Sequence, residues 1–370
     1  MSDARPLVLQ LITELNPGGA EFLSGELARR VSGFQMEIAA LDGRGKLAEI
    51  FRSRGIPVHD LGIYRKFTAL GGLLRLRRLL RRRRPAVLHT HLFHANIAGR
   101  IVAAGLGIPV ISTCHIREAR PLPWHFWLDR WTARGALAEV CVAPETAAFQ
   151  QRHTGLPAEF FPVINNGIDL TVFRPAENEH ERAMSRQALL PAGRKAPAVV
   201  CGFLGRLERQ KGVDTLITAW LRLPQELRQM SCLLIAGEGR ESAALRAQAA
   251  DAPEVIFLGH HSRPAEFLRA LDICALPSRY EGFGLAAAEA LACGTAVIAS
   301  TELRGIITDG ANGALIPPDN PVLLANALHQ LLANPAWRLR LATAGTARAA
   351  DFPVEKMVEA YQALYRRALA

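Results

Sequence analysis

The feature that most constrains this 370-residue chain is a rhythm that occurs twice. Short β-branched or leucine-rich runs alternate with segments whose apolar residues recur at spacings of three and four, the periods of buried strands and amphipathic helices. In the first half the runs cover residues 7–13, 36–40, 87–89, 110–114 and 140–143, and in the second half 199–204, 233–236, 255–258, 273–276 and 296–299. Strands joined by helical crossovers make parallel sheets, so the fold class is α/β with two Rossmann-like domains. The turn-rich stretch 165–175 and the polar segment up to residue 195 separate them, giving domains over 1–175 and 190–352. A last helix starts at Pro353 and carries Val354, Met357, Val358, Tyr361, Leu364 and Tyr365 on one face. It is expected to pack back on the first domain over 353–370.

A hydrophobic content of 49% against 21% charged residues belongs to a globular chain with cores large enough for two domains. The amino-terminal apolar run 7–12, flanked by Asp3 and Glu14, is too short for a signal-peptide core or a membrane span, so a cytoplasmic location is expected, with peripheral contact at the membrane's inner face. Cys114, Cys141, Cys201, Cys232, Cys274 and Cys293 stand singly in apolar runs and read as buried thiols. Residues 1–175 hold 23 Lys+Arg against 14 Asp+Glu, whereas 176–370 hold 21 against 20, so the basic field belongs to the first half. Such a field favours a polyanionic partner without choosing one.

Two segments carry chemistry. Gly205-Arg206-Leu207 closes an apolar strand and leads through Lys211-Gly212 into a helical pattern, which brings backbone N–H groups and two cations to one turn, as a diphosphate requires. Taken alone, that segment is also compatible with a solvated basic turn. The second, Pro277-Ser278-Arg279-Tyr280-Glu281-Gly282-Phe283-Gly284-Leu285, again follows a buried strand and runs into an alanine-rich helix. Its glycines admit a ligand close to the backbone, and the helix start adds partial positive charge. Glu281 before the helix and Glu289 in its second turn suit sugar and ribose hydroxyls.

With these residues on the page, the sequence resembles a known family, the retaining GT-B glycosyltransferases of family 4, also described as glycosyl transferases group 1. The resemblance rests on Arg206 and Lys211 with their glycines, on Glu281 and Glu289 with seven residues between them, on Asn166-Gly167-Ile168-Asp169, and on Gly18-Gly19-Ala20-Glu21. It extends over nearly the whole chain. It implies a nucleotide-sugar donor, UDP- or GDP-linked, held in a cleft between the two domains. Arg206 and Lys211 would hold the donor diphosphate, Glu281 the sugar hydroxyls and Glu289 the ribose. Gly282, Phe283, Gly284 and Leu285 would line the donor, Gly18 and Gly19 would lie near its phosphates, and Gly259 and His260 near its base. The family also places a histidine at the position of His115, against the donor sugar.

Arg206, Lys211, Glu281 and His115 are therefore the candidate catalytic residues. Breaking the sugar–diphosphate bond leaves negative charge on the leaving phosphate, which pre-placed cations stabilise. No Asp-x-Asp triplet occurs in the sequence, and no metal or other cofactor is expected. No carboxylate stands out as a nucleophile. The spacing of His89, His91 and His94 suggests a metal site, but no local carboxylate or cysteine completes one, and a structural role is preferred.

The acceptor is expected to be a glycan or polyprenyl-linked precursor of a lipid-linked or cell-surface polysaccharide. Arg75, Arg77, Arg78, Arg81, Arg82, Arg83 and Arg84 interleave with leucines that can cover a sheet, and the outward arginines suit an anionic membrane surface. No interleaved aromatics accompany them, so nucleic acid is not expected. A nucleotide-sugar epimerase or hydrolase would share the donor pocket and turn over donor without acceptor. A non-catalytic basic binding protein is the third class, set against by Arg206, Lys211, Glu281 and Glu289.

Overall fold

The computed structural model describes residues 5–64, 68–116, 123–191 and 197–370. The chain forms two compact units, one of residues 1–167 with 355–370 and one of 168–354. The first unit holds β1 (Leu7–Glu14), β2 (Gln35–Asp42), β3 (Val58–Asp60), β4 (Val87–His91), β5 (Val110–Cys114) and β6 (Ala138–Cys141). The second holds β7 (Val199–Leu204), β8 (Ser231–Ala236), β9 (Val255–Gly259), β10 (Ile273–Leu276), β11 (Ala296–Ser300) and β12 (Ala314–Ile316). Both sheets are parallel, and both run in the same order. The first is β3-β2-β1-β4-β5-β6, and the second, read from β9, is β9-β8-β7-β10-β11-β12.

The central strands are largely buried because helices cover both faces, so β8 and β11 are near-continuous apolar runs rather than alternating ones, while β1 and β4 also bury Gln10, His89, Thr90 and His91. On one face of the first sheet Leu9, Leu11 and Leu88 pack with Leu76, Leu79 and Leu80. On the other, Ile12 and Ile38 pack with Leu47 and Phe51. The edge strands β3 and β12 are three residues each and escape the sequence pattern for that reason.

Two further departures concern the join between the units. The polar stretch after residue 175 is not only connecting chain, since a helix spans Glu179–Leu189 with Asn178 as its cap. It belongs to the second unit, where Arg182 and Arg186 both reach Asp272 at 2.7 Å. The Asn166–Asp169 motif lies where the chain passes from one unit to the other. Within the second unit Ile168 accepts from and donates to the backbone at 352–354, and Asp169 caps its own turn through Thr171.

The terminal helix spans Val354–Arg367, and residues 355–370 belong to the first unit, with Tyr361 and Tyr365 fully buried. Tyr365 Oη lies 2.6 Å from His89 Nδ1, and Gln362 donates to Ser32. A buried imidazole stripped of its partner keeps its desolvation cost. Tyr365→Phe is therefore expected to lower the unfolding free energy by about 1–3 kcal/mol, and Tyr365→Ala, which also opens a cavity, by about 3–5 kcal/mol; urea denaturation of both variants measures this.

Candidate active site

In a parallel sheet of this order the crevice lies beyond the carboxyl ends of the strands where the order reverses. In the second unit that point is between β7 and β10, which are paired neighbours. The two chemistry-bearing segments are the loops that leave these two strands, so the topology itself brings them together. Contacts between them are dense. Arg279 N–H donates to Gln210 O at 2.7 Å, and Gln210 Nε2 donates to Tyr280 O at 3.0 Å.

Arg279 of the second loop is committed within the protein. Arg279 makes a two-pronged pair with Asp214 at 2.9 and 2.7 Å, another with Asp319 at 2.7 Å, and donates to Arg209 O. It clamps the loops rather than facing a ligand. Gly212 sits at φ +65° as the cap of the helix Val213–Leu221, and a Cβ there would lie 2.3 Å from Pro277 O. Only glycine lets the two loops approach so closely.

At the centre of this arrangement, Lys211 Nζ lies 2.5 Å from Glu281 Oε1, which also accepts from Ser278 Oγ at 2.8 Å. Glu281 is buried and Lys211 partly so. An ammonium has three donors, so two remain for a ligand. Arg206 is exposed and has no ion pair or hydrogen bond among the described residues. The backbone of its loop differs from expectation. The N–H groups of Gly205, Leu207, Lys211 and Gly212 are all bonded within the protein, to Ala236, Glu238, Glu208 and Arg209 carbonyls. The second loop offers open donors as well. The helix Leu285–Ala292 starts after Gly284, at φ +90°, and the N–H groups of Leu285 and Ala286 in its first turn have no partner among the described residues.

Glu289 lies in that helix, half-buried among alanines, with no ion pair among the described residues. Burial raises its carboxyl to about 7. Phe283 is buried and packs against Phe352, with ring centroids 5.3 Å apart. Gly259 ends β9 at φ +70° and its carbonyl accepts from Gly237, while His260 beside it is exposed.

The first unit gathers a second polar cluster at the carboxyl ends of β1, β4 and β5. Gly18 caps the helix Gly19–Arg30, and its Cα faces the buried Glu21 side chain. Gln10 Nε2 donates to Ser24 O at 2.9 Å, which turns Gln10 Oε1 toward His91 Nε2 at 3.0 Å. That carbonyl oxygen only accepts, so His91 carries its proton on Nε2 and presents Nδ1 to His115 Nε2 at 3.1 Å. His115 then donates from Nε2, and its buried Nδ1 remains a bare acceptor with no partner among the described residues. Burial holds His115 and His89 down to about 3 and His91 well below its ordinary value, so all three are neutral. His89 and His91 are structural, His94 is exposed, and no group of three or more candidate metal ligands occurs among the described residues. All six cysteines are free.

The arrangement also involves residues that the sequence did not single out. Gln10, Gln210 and Asp214 act through partners distant in the chain, and nothing local marks them; Ser278 lies in the quoted loop and acts on Glu281 three residues on.

Comparison with known proteins follows the same division. Residues 17–172 match the family model described as Glycosyltransferase Family 4, and residues 198–334 match Glycosyl transferases group 1. A D-inositol 3-phosphate glycosyltransferase of Xylanimonas cellulosilytica is 30% identical over 305 residues, covering 76% of this chain and 72% of the relative. An alpha-maltose-1-phosphate synthase of Mycolicibacterium smegmatis is 28% identical over 317 residues, covering 77% and 79%. Among solved structures, Anabaena HepE in complex with UDP and glucose superposes with a TM-score of 0.86 at 20% identity over 98% of this chain and 100% of that one. Sucrose-phosphate synthase of Thermosynechococcus elongatus gives 0.79 at 22% identity over 98% and 99%. These structures share the GT-B fold with this chain.

The raised carboxyl of Glu289 has a measurable consequence. Its proton is held more tightly in the folded protein than in the unfolded chain, so stability is lost as pH rises from 4.5 through about 7. Glu289→Gln removes that loss and is expected to raise the unfolding free energy by about 1–2 kcal/mol above pH 7 and to change little below pH 4.5; urea denaturation across this range reads the difference.

Proposed function

The chain belongs to the family 4 glycosyltransferases, the glycosyl transferases of group 1, and from that premise we propose a retaining, metal-independent transfer of sugar from a UDP- or GDP-sugar to a glycan acceptor. The acceptor is a lipid-linked or cell-surface polysaccharide precursor. The observation that carries the donor reading is the Lys211–Glu281 pair between the β7 and β10 loops, with unpaired Arg206 in the first loop and open N–H groups at the helix start in the second.

Each residue has a physical task in this reading. Arg206 and the two remaining Lys211 protons take the diphosphate, and the Leu285 and Ala286 N–H groups add donors aligned with the helix dipole. Charge that builds on the leaving phosphate is met by groups already in place, which lowers the barrier without reorganisation. Glu281, fixed by Lys211 and Ser278, accepts from sugar hydroxyls. Glu289, once ionised, accepts from the ribose, and Gly259 and His260 border the base. Gly18, Gly19 and His115 have in this reading only the donor roles that the family resemblance implies. Solved relatives of the same fold that hold UDP or UDP-glucose support a nucleotide-sugar donor. The name of the relative acting on D-inositol 3-phosphate makes phosphorylated acceptors part of any acceptor screen. Among the seven arginines near residue 80, Arg83 pairs with Glu37 and Arg75 with the Leu61 and Gly62 carbonyls. The other five have no partner among the described residues and suit an anionic membrane surface.

Thermal-shift titration with UDP, GDP and ADP in the presence of a chelator tests the donor site. One nucleotide is expected to stabilise the protein, and Lys211→Ala or Arg206→Ala to weaken its binding by about 10- to 100-fold, the cost of one charged hydrogen bond. No stabilisation by any of the three, or stabilisation that survives both substitutions, contradicts this reading.

A further inference from the structure

Three of the five tryptophans in the chain lie on one helix, Pro123–Ala133, and they are exposed. Trp124, Trp127 and Trp131 are 54%, 66% and 55% accessible, at spacings of three and four that place them on one face. Trp127 and Trp131 are stacked with nearly parallel rings. The other tryptophans show the usual behaviour, Trp220 being fully buried and Trp337 partly so. A contiguous aromatic stripe of this size on a folded surface marks an interaction site.

The surroundings of the stripe select the partner. The helix Phe93–Ala104 packs between the tryptophan helix and the arginine-rich helix Ala69–Arg83, so the three lie side by side over the first sheet. Their outward positions are basic or apolar. Arg77, Arg78, Arg81 and Arg82 are exposed on one flank, Ile101 in the middle, and Arg130 and Arg134 beside the tryptophans. Between residues 69 and 137 the sequence has only two acids. Asp129 is buried against Arg100 at 2.5 Å, and Glu118 lies outside the described residues. A face with exposed tryptophan, arginine and no exposed carboxylate among the described residues matches the headgroup level of an anionic bilayer. Indole rings settle there and cations find lipid phosphate.

We propose that the helix face bearing Trp124, Trp127 and Trp131, together with the neighbouring arginine helix, docks this chain on an anionic lipid surface. The inference rests on the reading above only in that a lipid-linked acceptor gives the surface its use. The tryptophans seat in the interface, and the arginines supply the long-range attraction. Two weak anchors combined in this way give reversible attachment without a span, and no helix among the described residues is long and apolar enough to cross a membrane.

The test uses the full chain with vesicles of phosphatidylcholine alone and of equal parts phosphatidylcholine and phosphatidylglycerol. The anionic vesicles are expected to sediment the protein and to shift its tryptophan emission to the blue, and the neutral ones to do neither. Replacing Trp124, Trp127 and Trp131 by Ser should weaken sedimentation at least about tenfold and remove the blue shift. Replacing Arg77, Arg78, Arg81 and Arg82 by Gln should weaken sedimentation and flatten its dependence on salt. The thermal shift with nucleotide should persist in both variants, which shows that they fold and separates this inference from the donor site. Undiminished vesicle binding by the tryptophan variant overturns the proposal. So does a wild-type stripe quenched by self-association, which would assign the face to a second copy of the chain.

Discussion

The contact between Lys211 and Glu281 is the constraint around which the second unit is arranged. It joins the loop after β7 to the loop after β10, where the strand order reverses and both loops are free of crossing connections. Everything nearby serves to hold that distance. Gly212 gives the approach to Pro277, and Arg279 ties its loop to Asp214 and Asp319. Ser278 turns the Glu281 carboxylate. A lysine held by a carboxylate in this way is both oriented and partly neutralised. Arg206 adds an exposed, unpaired cation in the same loop, and Lys211 keeps two N–H donors beyond the Glu281 contact.

The first unit solves a different problem, which is how to bury polar groups near the ends of its strands. Gln10, His91 and His115 form one hydrogen-bonded line, and Tyr365, His89 and Thr113 form another, supplied from the far end of the chain by the terminal helix. Neutral imidazoles suit such a site because each ring both donates and accepts. The line that starts at the Ser24 carbonyl ends at His115 Nδ1, a buried acceptor with no partner among the described residues.

Much of this was legible beforehand for a physical reason. Strands buried on both faces are rich in apolar residues, so ten of the twelve described strands stood out and gave the α/β class, and loops that must approach a ligand closely need glycine beside charge, so Gly205, Arg206, Lys211 and Gly212 and the segment around Glu281 stood out too. The rest depends on packing. Edge strands of three residues carry no period, and the helix Glu179–Leu189 is polar because only one of its residues is buried. Which arginine stays unpaired could not be read from residue type, since folding brings carboxylates to Arg279 and, among the described residues, none to Arg206. The contact of Phe283 with Phe352 likewise depends on chain distant in sequence. The tryptophan stripe gave no warning, because exposure depends on which helix face the sheet takes.

The central claim is that the donor diphosphate sits between the β7 and β10 loops without a metal. A structure of the protein with UDP, grown in the presence of a chelator, tests it most directly. The account predicts phosphate oxygens within hydrogen-bond reach of Arg206, Lys211 and the first turn of the helix Leu285–Ala292. A diphosphate bound elsewhere, or one held only when a divalent cation is restored, would contradict it.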